Sequence, residues 1–186
     1  MKRMMALLLM CLILCGCKSD TGEMEKVLIM RQELLRAESC TFDAQVTADY
    51  SDKVCTFLLR CHGDKEGNVT FTVLDPESIT DISGKISESG GDLTFDDTVL
   101  AFEPLVNGTI SPVIAPWLML RSFRGGYISQ CAQTEKGIRV DIDDTYCDAN
   151  LRFEILLDDR GYPAQAEQYY DGRRILTVSV SNFVIV

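Results

Sequence analysis

Thiols and carboxylates are the groups in this chain whose types and spacing could do chemistry. Eight cysteines, a single histidine and 28 aspartates and glutamates stand among 186 residues. A Ser-His-Asp arrangement would have to use His62, which falls in His62-Gly63-Asp64, a run expected to form an exposed turn. His62 also adjoins Cys61, and a lone Cys-His pair is a weak metal signal. Asp141, Asp143 and Asp144 bring hard oxygen ligands close together, as a calcium loop would. The EF-hand pattern fails there, because Tyr146 stands where glycine is required. Asp141 and Asp143 are instead expected on the solvated side of an alternating strand. Asp158-Asp159 before Gly161 reads as a turn, and no GxSxG, Walker-type loop or HExxH motif occurs. Asn68-Val69-Thr70 and Asn107-Gly108-Thr109 match glycosylation acceptors. The expectation is a protein that is not an enzyme, with no catalytic residue, no metal site and no cofactor.

The thiol that stands apart is Cys17. Lys2 and Arg3 give a positive start, Met4 to Leu14 form a short apolar run, and the small residue Gly16 precedes Cys17. That is the pattern of a secretory signal. The run falls short of the ~20 residues that a membrane span needs. The ending Leu14-Cys15-Gly16-Cys17 resembles the lipobox of bacterial lipoproteins, whose cysteine receives a diacylglyceryl group before cleavage. The resemblance implies a signal peptide over 1–16, lipid attachment at Cys17, and a mature chain over 17–186 tethered to the extracytoplasmic face of a cell membrane. Cys11 and Cys15 would leave with the signal.

About 170 residues then remain, enough for one domain with a sizeable core, and no Pro/Ser/Gly linker divides them. The full chain carries a net charge of -10, and loss of Lys2 and Arg3 makes it more acidic. Such a domain gains nothing from phosphate, which excludes nucleic acid as an expected partner. Export places Cys40, Cys55, Cys61, Cys131 and Cys147 where disulfides are permitted.

Periodicity supplies the elements. Met24, Val27, Leu28, Arg31, Leu34 and Leu35 recur at helical spacing, which predicts an amphipathic helix over about 22–38. Residues 41–50 alternate strictly, and 53–61 follow a Ser51-Asp52 turn signal. Pairing Asp49 with Asp52 puts Phe42 opposite Leu59, Ala44 opposite Phe57 and Val46 opposite Cys55, all apolar on one side. The same register sets Cys40 opposite Cys61, a disulfide candidate. Cys131 and Cys147 form the second candidate pair, and Cys55 reads as a small buried hydrophobe. Further strands are expected near 68–75, 82–88, 92–96, 99–103, 127–133, 137–143, 149–158, 164–170 and 173–184, with Gly84 at a bend or bulge and a hairpin at Asp171-Gly172. Between them, Ser111 to Arg124 is apolar nearly all round, the mark of a helix buried on more than one side.

Eleven strands, an N-terminal helix and one helix after the sixth strand make a mainly β order. With the lipobox and the terminal run RRILTVSVSNF after Asp171-Gly172, it resembles the LolA/LolB-like lipoprotein-localisation carriers. The resemblance implies a strongly curved antiparallel sheet, an incomplete barrel, with the second helix as a central plug. A lipid or a lipoprotein acyl chain would lie in the hollow, with Ile114, Trp117, Leu118 and Leu120 as its wall. Core and cavity linings share one composition, so these residues can instead simply complete the core. The alternative function is an envelope interaction or structural lipoprotein with no small ligand, its protein partner unnamed.

Overall fold

The computed structural model describes residues 21–186, apart from 51–52, 97, 103–104, 107–108 and 147–148. The expected signal peptide, Cys17, the Ser51-Asp52 turn, Asn107 and Cys147 lie outside the described residues.

Alternation of apolar and polar side chains builds the sheet. In β1 (Ser39–Asp49), Cys40, Phe42, Ala44, Val46 and Ala48 are buried while their neighbours face outward. The remaining strands are β2 (Val54–Asp64), β3 (Val69–Asp75), β4 (Ser83–Ser87), β5 (Gly90–Phe95), β6 (Thr98–Phe102), the short hairpin β7 (Leu105–Val106) and β8 (Thr109–Ile110), β9 (Tyr127–Thr134), β10 (Gly137–Tyr146), β11 (Ala149–Leu157), β12 (Pro163–Tyr170) and β13 (Arg173–Ile185). Eleven of them form one antiparallel sheet in the order β6-β5-β4-β3-β2-β1-β13-β12-β11-β10-β9. β6 and β9 are its edges, so the sheet does not close on itself. Its buried face carries Phe42, Leu59, Phe71, Ile86, Val140, Phe153, Ile155 and Val178. Helix α1 (Thr21–Arg36) and helix α2 (Ala115–Gly125) complete the core. The mainly β architecture, the open eleven-stranded sheet and the buried second helix agree with expectation.

The sheet coils strongly, and two ion pairs show it. Glu88 follows Ser87 at the end of β4, and the ladder leads from Ile86 through Val69, Gly63 and Cys40 to Ile185 on β13. Asp144 on β10 leads through Leu151 and Tyr170 to Arg173 on β13. Those two positions on β13 are about 40 Å apart at ~3.3 Å per residue. Yet Glu88 and Asp144 both bind the guanidinium of Arg121 at 2.5 Å. Twist accumulated over the intervening strands, aided by bulges between Leu58 and Leu59 and between Gln168 and Tyr169, brings diagonal corners of the sheet together.

Several expectations are corrected. β1 and β2 pair two residues away from the expected register, with Asp49 opposite Val54, Phe42 opposite Cys61 and Cys40 opposite Gly63. Cys40 and Cys61 are therefore diagonal neighbours, and both are buried free thiols without the expected disulfide. Burial pushes both thiols up from the ordinary cysteine value. Cys131 is buried on β9 with its Sγ 3.8 Å from Met24 Sδ. α1 ends at Arg36 and turns Val27, Met30 and Leu34 inward, which leaves Leu28 and Leu35 of the expected stripe exposed. His62 lies in β2 on the exposed face, and the turn is Asp64–Gly67. Asp141 is only 3% exposed, because Arg139 at 3.1 Å and Arg152 at 3.2 Å cover its carboxylate. Gly84 carries no register shift. A Cβ there would meet the Phe71 ring at 2.7 Å and Asp92 O at 2.6 Å, so the glycine makes room for a ring. Gly91 likewise receives the ring of Phe102. The Asp171-Gly172 hairpin forms as expected, with φ 51° and 75° at the two residues, as a type I′ turn needs.

The glycine pair that ends α2 tests this packing. A Cβ at Gly126 would lie 2.5 Å from Ile142 Cγ2 and 2.7 Å from Ser122 O, whereas one at Gly125 would meet nothing within 4 Å. Gly126→Ala is expected to destabilise by about 1–3 kcal/mol. Gly125→Ala should be neutral or stabilising by up to ~1 kcal/mol. Urea denaturation of the two variants checks the contrast.

Candidate functional site: the buried helix and its polar latches

α2 enters through a 3-10 turn, Pro112–Ile114, and carries Pro116 in its first turn, where a missing N–H costs nothing. Ala115, Pro116, Trp117, Leu118, Met119, Leu120, Ser122 and Phe123 are all buried, so the helix is surrounded on every side. Ile114, Trp117, Leu118 and Leu120 are between 0 and 4% exposed. Leu120 reaches Gly63 of β2, where its Cδ1 would sit 3.2 Å from an added Cβ.

A helix buried in this way must satisfy its terminal backbone groups from within the protein. At the C-terminal end, Arg31 of α1 donates from Nε to Phe123 O at 2.6 Å and from Nη2 to Gly126 O at 3.0 Å. The guanidinium thereby meets the negative end of the helix dipole. Burial pulls its pKa below the ordinary arginine value. Near the N-terminal end, Gln168 of β12 donates from Nε2 to Ala115 O at 2.7 Å, a tie from helix to sheet rather than a cap.

Three further side chains of α2 hold it to loops. Trp117 donates from Nε1 to Gly67 O at 3.0 Å. Arg124 donates to Asp64 O at 3.1 Å and Lys65 O at 2.6 Å. These acceptors belong to one turn, where the Asp64 carboxylate accepts from Asn68 N and Asn68 Nδ2, both at 2.8 Å, and Gly67 adopts φ 90°. Arg121 binds Glu88 and Asp144, donates to Thr145 O at 3.2 Å, and lies 5.9 Å from the centre of the Trp117 ring. Burial pulls the Arg121 pKa down, but the two carboxylates outweigh it and the net shift is upward. Arg121 therefore clasps the β4–β5 arm to the end of β10 over the C-terminal half of α2.

Beside this clasp lies a cleft of about 340 Å³ lined by Leu35, Glu66, Glu88, Arg121, Arg124 and Asp144. A second, of about 850 Å³, runs past Tyr127, Asp143, Arg152 and Tyr169. A third, of about 580 Å³, lies on the outer face around Arg60, His62 and Lys85. None of these three is lined by Ile114, Trp117, Leu118 or Leu120. Among the described residues no group of three or more His, Cys, Asp or Glu could hold a metal ion. No helix among them is long and apolar enough to cross a membrane.

The structure places Trp117, Leu118 and Leu120 on α2 and Ile114 on the 3-10 turn that leads into it, all four buried. Sequence reasoning missed what holds that helix, namely Arg31, Arg121, Arg124 and Gln168. The available signal was Arg121 and Arg124, two charges inside a run otherwise apolar all round.

No protein-family model matches the chain, and no curated protein matches it. Among solved structures it is similar to a LolA superfamily protein from Nitrosomonas europaea, with 7% identity over 88% of this chain and 93% of that one and a TM-score of 0.49. It is also similar to an uncharacterized conserved protein from Thermus thermophilus, at 12% identity over 87% and 86% with a TM-score of 0.48. A putative outer membrane lipoprotein-sorting protein domain from Vibrio parahaemolyticus follows, at 10% over 86% and 91% with a TM-score of 0.46.

Two outcomes test the latches. Arg31→Met keeps much of the side-chain volume but leaves two carbonyls without their donor. It is expected to cost about 1.5–3 kcal/mol in chemical denaturation. The second concerns the turn that receives Trp117 and Arg124. Burial pushes the Asp64 carboxyl up, but the Asn68 hydrogen bonds and the charge of Lys85 outweigh it and hold it below the ordinary carboxylate value. A carboxyl depressed on folding adds stability above the unfolded value of about 3.9 and loses it as pH falls through the lower folded value. The Asn68 amide resonance should therefore move only below about pH 4, in step with release of the turn.

Proposed function

We propose that this chain is a lipid-anchored extracytoplasmic lipoprotein. Its half-barrel shelters a lipid or acyl chain against α2, with Ile114, Trp117, Leu118 and Leu120 as the wall and Cys17 as the point of attachment to the membrane. The observation that carries the reading is the way α2 is held. An apolar helix lies inside an unclosed sheet, and its ends and rim are fixed by directional polar bonds to arms and turns. Such bonds exchange with water at small net cost, so the arms can part from the helix without dismantling the sheet ladder. Burying about 300 Å² of acyl chain would contribute roughly 7 kcal/mol before ordering costs. Those costs include the translational freedom of the guest.

One observation favours a second reading, an envelope interaction lipoprotein with no small ligand. Edge strand β6 exposes Val99 at 63% and Leu100 at 60%, beside Phe95 at 58%, on a strand with an unpaired side. An open, apolar edge is a template for an added strand from another protein.

Trp117 is the single tryptophan, which makes it a reporter at the expected wall. Titration with a brominated fatty acid should quench its emission, and organic extraction of gently purified protein should yield lipid by mass spectrometry. Unchanged emission together with a lipid-free extract would remove the sheltering role and leave the second reading.

A further inference from the structure

The outward face of α1 has no role in either reading. Leu28, Ile29 and Leu35 are 48, 51 and 47% exposed, three large apolar side chains on one short helix. Leu28 and Leu35 stand two turns apart on the same line, with Ile29 beside them. They cannot roll inward. Arg31 is fixed to Phe123 O and Gly126 O, and Val27, Met30 and Leu34 already occupy the core side.

We infer that this face lies on the phospholipid bilayer. The inference rests on the proposed anchor at Cys17. Only Lys18, Ser19 and Asp20 separate that residue from Thr21, the first residue of α1. Three extended residues reach about 10 Å, so an acylated Cys17 holds the start of α1 at the membrane surface. An amphipathic helix in that position lowers its free energy by burying its apolar face at the boundary of headgroups and acyl chains.

Charge selects the kind of contact. Exposed Glu25 and Glu33 balance exposed Lys26 and Arg36 on α1, and the whole chain stands at -10. Attraction to anionic lipid therefore does not drive the contact, and neutral phosphatidylcholine suffices. Leu35 also lines the cleft beside Arg121 and Arg124, so the same contact turns the clasped end of the half-barrel toward the bilayer.

The test uses the full chain made in a bacterium that acylates lipoproteins, reconstituted into vesicles of phosphatidylcholine with brominated acyl chains. Leu28→Trp and Leu35→Trp add reporters to the docking face. Val54→Trp is the control, on an exposed residue at the far end of the β1–β2 ladder. Docking predicts loss of about half or more of the added emission at 28 and 35, since an interfacial helix buries its apolar face ~5–10 Å deep. The emission added at 54, taken over that of the parent and its Trp117, should stay unquenched. An intact mass showing the diacylglyceryl group, with 28, 35 and 54 all unquenched, overturns docking and leaves the anchor standing. Equal strong quenching at 54 overturns the orientation. A mass without the diacylglyceryl group overturns the anchor, and docking with it.

Discussion

One guanidinium, that of Arg121, meets two carboxylates that the hydrogen-bond ladder keeps at opposite ends of the sheet. The sheet can satisfy this constraint only by coiling around whatever lies between its corners. What lies between them is α2, whose apolar circumference demands enclosure. Enclosure and clasp support each other. The coil supplies walls for Trp117 and Phe123, and the helix supplies the cation that holds the coil. Arg31 and Arg124 extend the same logic, since Arg31 supplies donors to the carbonyls at the C-terminal end of the helix and Arg124 ties the helix to the carbonyls of the Asp64–Gly67 turn.

The periodicities made the strands, the helix spans and the open β architecture legible, because burial of one face leaves a strict mark on sequence. Register was less legible. A slip of two residues between β1 and β2 keeps Phe42, Ala44 and Val46 on the same side, so hydrophobic pattern alone cannot distinguish the two pairings. The difference decided the fate of Cys40 and Cys61. α1 was ambiguous for a related reason. Met24, Val27, Leu28, Ile29, Met30, Leu34 and Leu35 cover most of its circumference, and the side that wins is set by Arg31, whose partners lie more than ninety residues away. The latches of the candidate site share that property. Arg124 to Asp64 and Gln168 to Ala115 are pairings between distant segments that no local pattern encodes.

Charge was legible in amount but not in placement. Asp141 sits in an alternating strand as a solvated residue would, yet Arg139 and Arg152 close over it. Several arginines are directed inward or across the sheet, to carbonyls and to carboxylates that the fold brings near. The remaining surface is left acidic, which suits a domain that gains no hold on anionic lipid through its own field.

Two rings in the β3–β6 arm stand over bare backbone, Phe71 above Gly84 and Phe102 above Gly91. Each ring occupies the volume that a neighbouring side chain would have filled. The two positions of each pair therefore limit each other's size. Among homologues, a residue larger than glycine at 84 should be accompanied by a smaller one at 71, and the same exchange should link 91 with 102.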